Sequence, residues 1–379
     1  MQKKMLFVQI IGLFLLALAL PAAAETTMKV KDWDVTLGAQ ITVHTYYTMN
    51  EKDYPANTNN DDDGDFTVDS IDPSDSHFMA TFENGPFKVY FDIREDAFKY
   101  AWAEWNFGSG TLTFGKNDPL TFQPVHLPPP LKSGIGQMIG PLPAAQVRLS
   151  VPAGPVILSA AAMEQPYHNS EYINVGSGTV EQDGELPILE GRVDVPIGPA
   201  IASIAGGYSS YAAVDADAKS YDIDSYMIGA VGRYMAESFT LHGTIFYDQN
   251  DYSHGGDPRQ KGVMFFMPGE LYFGAPTYDA ESDSIKDSEY IGWAMSASYK
   301  FSDMFDVHIG VSGGNTEDDY GNKDEAMAYE IASIIRPNEY VSISPFFHIT
   351  DWGEREPVGQ AAIDEGTSTT IGVEWSLIF

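Results

Sequence analysis

The chain has 379 residues, with 54 acidic against 21 basic side chains, a formal charge of −33 and no cysteine. That balance repels nucleic-acid phosphates, and the missing thiols exclude a disulfide framework and any thiolate metal site. Thirty-five glycines and 23 prolines spread along the chain, 13% aromatic residues and a mildly negative mean hydropathy describe many short strands and turns, the composition of an all-β protein.

At the start, Lys3 and Lys4 precede an almost unbroken apolar run from Met5 to Leu20, followed by Pro21-Ala22-Ala23-Ala24 and then Glu25. This reads as a secretory signal peptide cut after Ala24, because the run falls short of the roughly 20 apolar residues of a spanning helix. Residues 25–379 then form one mature domain with 19 basic against 54 acidic side chains, a formal charge of about −35. No later stretch is apolar for long enough to cross a membrane as a helix, so a mature chain that enters one does so as a closed β-barrel.

Alternating segments follow at 33–47, 76–84, 87–95, 99–107, 111–116, 146–151, 155–163, 187–195, 200–211, 222–234, 239–250, 287–301, 305–316, 325–335, 340–351 and 367–379, sixteen in all. Tight turns fall after every second segment, at Asn84-Gly85-Pro86, Gly108-Ser109-Gly110, Pro152-Ala153-Gly154, Pro196-Ile197-Gly198-Pro199, Met235-Ala236-Glu237-Ser238, Ser302-Asp303-Met304 and Arg336-Pro337-Asn338-Glu339. An even count with short turns at one end and long loops at the other predicts a transmembrane antiparallel barrel of 16 strands. Its termini share the periplasmic side, so first and last strands pair and no edge is left open. The faces divide cleanly: Phe87, Val89, Phe91 and Ile93 oppose Lys88, Tyr90, Asp92 and Arg94, and Phe305, Val307, Ile309 and Val311 oppose Asp306, His308, Gly310 and Ser312. Apolar rows are expected to meet lipid and polar rows the lumen. Aromatics near strand ends, such as Tyr46-Tyr47, Trp105 with Phe107, Tyr234 with Phe239, and Tyr299 with Phe301, are expected at the lipid–water boundary. A soluble sandwich would place the same rings in a core. The export signal at one end and an aromatic last strand at the other favour the barrel.

Two long connections stand out. In the first, Asn59, Asp61, Asp63, Gly64 and Asp65 fall at positions 1, 3, 5, 6 and 7 of a calcium loop, but position 12 is Ser70 where a bidentate Glu is needed. The alternatives are a loosely bound Ca2+ at Asn59, Asp61, Asp63 and Asp65, or a solvated acidic loop that meets lipopolysaccharide phosphates through divalent ions. The second, 117–145, is proline-rich and apolar, with Asp118 its only acid, and reads as a loop folded into the barrel.

The segment Phe107-Gly108-Ser109-Gly110-Thr111-Leu112-Thr113-Phe114-Gly115-Lys116, the turn Tyr299-Lys300-Phe301-Ser302 and the terminal Trp375-Ser376-Leu377-Ile378-Phe379 resemble the Gram-negative general porins. The chain looks most like the outer-membrane homotrimeric porins of sulfate-reducing bacteria. The resemblance implies an inward constriction loop, a homotrimer in the outer membrane and contact with lipid and lipopolysaccharide. It also implies insertion by barrel-assembly machinery that reads a last strand carrying Trp375, Leu377 and Phe379. In such porins, acids on the loop face basic residues across the pore. Here the lining candidates are Asp118, His126 and Lys132 on the loop and Lys88, Arg94, Lys116, Arg148 and Arg192 on the wall, so the loop departs from the acid-rich pattern. Arg148 and Arg192 have a structural alternative, pairing with Glu190 or Asp194 along the wall. For a trimer, Phe78, Ala80, Phe82, Ala101 and Ala103 supply a mixed large and small outward surface.

The expected function is passive diffusion of small hydrophilic solutes and ions through a water-filled lumen without a cofactor, the alternative being a substrate-specific channel. A lipase-type outer-membrane enzyme is the weaker competitor, since its one compact cluster, His168-Asn169-Ser170, sits on an acidic outer loop without a positioned third group.

Overall fold

The computed structural model describes residues 25–50, 65–69, 76–94, 97–122, 143–164, 181–183, 187–214, 219–250, 277–279 and 282–378. The alternating segments form sixteen strands: β1 (Trp33–Asn50), β2 (His77–Asn84), β3 (Phe87–Arg94), β4 (Ala97–Asn106), β5 (Thr111–Asn117), β6 (Ala144–Ala153), β7 (Val156–Met163) and β8 (Ile188–Ile197), then β9 (Ala200–Val214), β10 (Ser220–Met235), β11 (Phe239–Gln249), β12 (Ser288–Ser302), β13 (Phe305–Asp318), β14 (Lys323–Asn338), β15 (Val341–Asp351) and β16 (Thr367–Ile378). Each pairs antiparallel with the next in sequence. The ring closes because β16 pairs with β15 on one side and with β1 on the other, Gln40 opposite Ile378 and Asn50 opposite Ser368. The barrel is therefore the expected sixteen-stranded one, and glycine occupies four of its seven tight turns, at Gly85, Gly108, Gly154 and Gly198. Gly108 at φ 90° and Gly154 at φ 65° adopt the left-handed backbone that such turns require.

Closure turns the protein inside out relative to a soluble one. Outward rows carry large exposed apolar side chains, among them Phe87, Trp105, Phe114, Leu149, Ile204, Ile228, Ile245, Ile309 and Ile331, while the buried rows hold Asp92, Gln146, Glu190, Ser225, Ser296, Glu330 and Glu374. In β10 the two alternate along almost the whole strand. Water-facing rows are needed inside and lipid-facing rows outside, and a period of 2 delivers both from one strand. Rings gather at the short-turn end: Phe87 stacks on Trp105 at 6.3 Å, Tyr299 meets Phe301 edge-on at 4.7 Å, and Phe301 lies 5.6 Å from Phe305. Tyr46 departs from the boundary expected of it. It packs instead against buried Ala294, Ala332 and Phe346 on the lumenal side.

Seven short strands among the described residues were not legible as such, and two of them pair with β1. Glu25–Val30 pairs with the start of β1, Glu25 opposite Gly38, and so continues the line along which β16 ends opposite Gln40. Asp65–Asp69 pairs with the far half of β1, above the point where β2 leaves it.

Candidate functional site

The described start of the inward loop, Asp118 to Phe122, is held against the inner wall by side chains of three strands. From β4, the Tyr100 hydroxyl donates to Asp118 Oδ1 at 2.9 Å. From β6, Gln146 Nε2 donates to the carbonyls of Asn117 and Asp118 at 2.7 and 3.0 Å, and the Arg148 guanidinium donates to the Asp118 carbonyl. From β8, Glu190 accepts from Thr121 Oγ1 at 2.6 Å and from the Leu120 backbone N–H. Thr121 and Leu120 are thereby buried. The described root of the segment that leaves β5 therefore lies against the lumenal side of the wall as far as Glu190 on β8.

One rung of inward side chains runs beneath it: Lys88 opposite Glu104, Glu104 opposite Thr113, Thr113 opposite Arg148, Arg148 opposite Ala161, and Ala161 opposite Glu190. The basic candidates of this wall are neutralised locally. Lys88 pairs with Glu83 at 2.8 Å, Arg94 with Asp92 at 3.3 Å, and Arg192 with Asp194 at 2.7 Å while also donating to Ser203. Arg192 thus takes the wall pairing that its neighbours on the strand allow. Arg148 bonds to Gln146 Oε1 as well as to the loop, within the field of the Glu190 and Asp118 carboxylates. These arginines lie on the same side as the loop root and so do not form a basic bank facing it. Burial pushes the Asp118 carboxyl above the usual range, against the opposing pull of the Tyr100 hydrogen bond and the Lys99, Arg148 and Arg94 charges.

Lys116 corrects the expectation that it lines the lumen. It stands opposite Ala101 and Ala145, in the outward row that contains Phe114, because Gly115 takes the inward register beside Trp102 and Gln146. His126 and Lys132 lie outside the described residues, as do Asn59, Asp61, Asp63, Phe379, the leader 1–24 and the His168-Asn169-Ser170 cluster. Asp65 is described only as the first residue of the short strand paired with β1. Among the described residues no group of three or more His, Asp or Glu is placed to hold a metal ion. On the last strand, Trp375 and Leu377 both face outward and are exposed.

The lumen is less uniformly polar than the alternation suggested. Leu120 of the loop root belongs to one buried apolar cluster with Met163, Ile188, Met227, Phe246 and Tyr290, all on inward rows. Apolar side chains on an inner wall are stable when packed inside the barrel, and the sequence pattern cannot tell such a contact from lipid exposure. On the opposite side the inner wall carries ionisable groups, with His348 Nδ1 at 3.4 Å from Glu330 Oε1 and Arg336 at 2.5 Å from Asp306.

A closed antiparallel barrel of sixteen strands with apolar outward rows is the fold of outer-membrane β-barrels. The fold is shared with the outer membrane channel DcaP of Acinetobacter baumannii, with TM-score 0.65, 14% identity and coverage of 92% of this chain and 99% of that one. It is shared also with OmpT of Vibrio cholerae, at TM-score 0.58 and 11% identity over 93% of this chain and 100% of that one. An anion-selective porin from Comamonas acidovorans gives TM-score 0.52 and 12% identity over 92% and 100%. No protein-family model and no curated protein matches the chain.

Proposed function

We propose that the protein is an outer-membrane porin that passes small hydrophilic solutes and ions by passive diffusion through its lumen, with no catalytic site. The observation that carries this reading is the loop root bound to the inner wall by Tyr100, Gln146, Arg148 and Glu190 inside a closed barrel. A loop tied there sets the clearance of the lumen, and fixed charges along the wall set its preference among ions. The reading extends to a homotrimer, supported by the trimer form recorded for Vibrio cholerae OmpT and by outward Ala101 and Ala103 between larger rings. It also includes likeness to the porins of sulfate-reducing bacteria, an export leader, recognition of the last strand by assembly machinery, and acidic outer loops that meet lipopolysaccharide or hold Ca2+ loosely. Cations gather at an acidic mouth, so a weak cation preference at low salt fades as screening increases.

The test is single-channel recording of the purified mature protein in planar bilayers across a salt gradient. Long-lived steps arriving in threes, with a reversal potential on the cation side at low salt, support the reading. A folded, heat-modifiable protein that carries no current overturns it. A second reading, a substrate-specific channel, is favoured by the apolar lumenal cluster around Met227 and Phe246. Saturable current block by one solute class distinguishes it from open diffusion.

A further inference from the structure

Beside the loop root, the inner wall presents three aromatic rings in contact. Tyr90 of β3 lies 5.5 Å from Trp102 and 6.4 Å from Tyr100, both on β4, with interplanar angles of 33° and 44°. Register puts them inward: Tyr90 stands opposite Trp102 and Asp92 opposite Tyr100, whereas Phe87 opposite Trp105 and Phe91 opposite Ala101 form the lipid row. Rings on outward rows have lipid to face. Rings on a water-facing wall gain nothing from the membrane, and most buried positions on the inward rows elsewhere are Ser, Thr, Ala or acids. Tyr90, Tyr100 and Trp102 are only partly buried. The rings are also held in place. Asp118 fixes the Tyr100 hydroxyl, Lys99 Nζ lies 5.5 Å from the Tyr100 ring centroid, and a bulge between Asp92 and Ile93 sets the register of β4 against β3.

The charged groups at the two ends of the patch narrow the choice of ligand. On one side stands Lys88 with Glu83 and, opposite Lys88, Glu104; on the other stands Arg94 with Asp92, near the Asp118 that accepts from Tyr100. An anion would meet a carboxylate at each end, and a cation a lysine or arginine at each. A hydroxyl group both donates and accepts, and can join either pair without breaking it. Along β3, Lys88 and Arg94 are six residues apart, about 20 Å of strand, which spans one to a few sugar rings.

Resting on the porin reading, we propose that Tyr90, Tyr100 and Trp102 form a lumenal stacking site for neutral cyclic polyhydroxylated solutes, pyranose sugars in particular. The apolar face of the ring lies on the aromatics, and its hydroxyls meet the Lys88–Glu83 or the Arg94–Asp92 pair, a longer sugar reaching both. The protein then moves such rings faster than equally hydroxylated open chains.

The experiment compares glucose with sorbitol, its open-chain reduced counterpart, in swelling of vesicles that hold the full mature protein. Glucose-dependent quenching of tryptophan fluorescence is measured in parallel. The expected result is glucose entry faster than sorbitol entry by about threefold or more, the scale of one aromatic contact, and saturating with concentration. Trp102→Ala and Tyr90→Ala bring the ratio to about one and Trp102→Ala removes the quench, whereas Trp102→Phe, which keeps a ring, retains the preference. Equal entry of glucose and sorbitol through the unaltered protein overturns the proposal. So does a preference that survives Trp102→Ala in a variant with native salt conductance. Absence of any salt current defeats the porin reading instead, and the fluorescence titration then decides the site by itself: a saturable quench lost in Trp102→Ala upholds it, and no quench overturns it.

Discussion

Thr121 donates its hydroxyl to Glu190 at 2.6 Å across 69 residues of sequence, and the neighbouring Leu120 N–H donates to the other oxygen of the same carboxylate. One side chain of β8 thus fastens the root of a loop that leaves the barrel at β5.

Glu190→Ala removes the acceptor of two buried donors, each of which then costs about 1–3 kcal/mol. The expected outcome is a lower temperature for loss of the compact gel band. In single-channel records the variant shows added current noise as the loop root moves, with the barrel otherwise intact. Unchanged noise together with unchanged stability would show that the clamp does not restrain the loop.

Asp118 gives a pH dependence of definite sign. Its folded carboxyl sits above the ordinary range because of burial, so the stability it contributes is full below the ordinary carboxylate range and is lost as pH rises through the raised value. Asp118→Asn keeps an oxygen for the Tyr100 hydroxyl and carries no charge. The variant is therefore expected to gain on the parent protein at pH 8 and to lose that advantage at about pH 4, where the parent carboxyl is neutral as well. Thermal loss of the folded gel band at the two pH values checks this, and an advantage that grows on acidification would contradict it.

Asn250 joins three strands at the long-loop end of the barrel. Its Nδ2 donates to the Asp224 carbonyl at 2.9 Å and to Asp287 Oδ1 at 2.8 Å, its Oδ1 accepts from Ser288 N at 2.9 Å, and its own φ is 55°. Asn250→Ala removes the acceptor of the Ser288 N–H and the donor to the Asp224 carbonyl, and leaves the left-handed backbone without the local bonding that lets Asn sit there, a combined loss of about 2–4 kcal/mol. Asn250→Gly loses the same bonds but fits the backbone. In urea unfolding it is expected to fall between the parent and Asn250→Ala, and the reverse order would show that the backbone is not strained there.

Ile245 lies midway along β11 on the lipid face and is 57% exposed, opposite Trp293 and Ala230. Ile245→Arg is expected to cost about 2–4 kcal/mol in vesicles, the range for a cation near the bilayer midplane. The inward Ser296→Arg change has no lipid penalty and serves as the control. Equal costs in urea titrations of the two vesicle-inserted variants would mean that the faces are wrongly assigned.

Strand number, the seven tight turns and the inward and outward rows of strands such as β3 and β13 were legible in the sequence. Each rests on side chains one or two residues apart, and a period of 2 commits a whole strand to its two faces once closure is assumed. The site was legible only in part. Asp118 and the arginines could be named, and Arg192 with Asp194 could be anticipated from their i, i+2 spacing. Lys116 could not be placed correctly, since the register around Gly115 depends on how β5 meets β4 and β6. Only the tertiary structure brought Glu190 to Thr121, Tyr100 to Asp118 and Tyr90 to Trp102. The reason is that alternation along a strand is local, whereas the partner across a lumen is set by the stagger between strands and by the path of a loop over the inner wall. Neither leaves a periodic trace in the sequence.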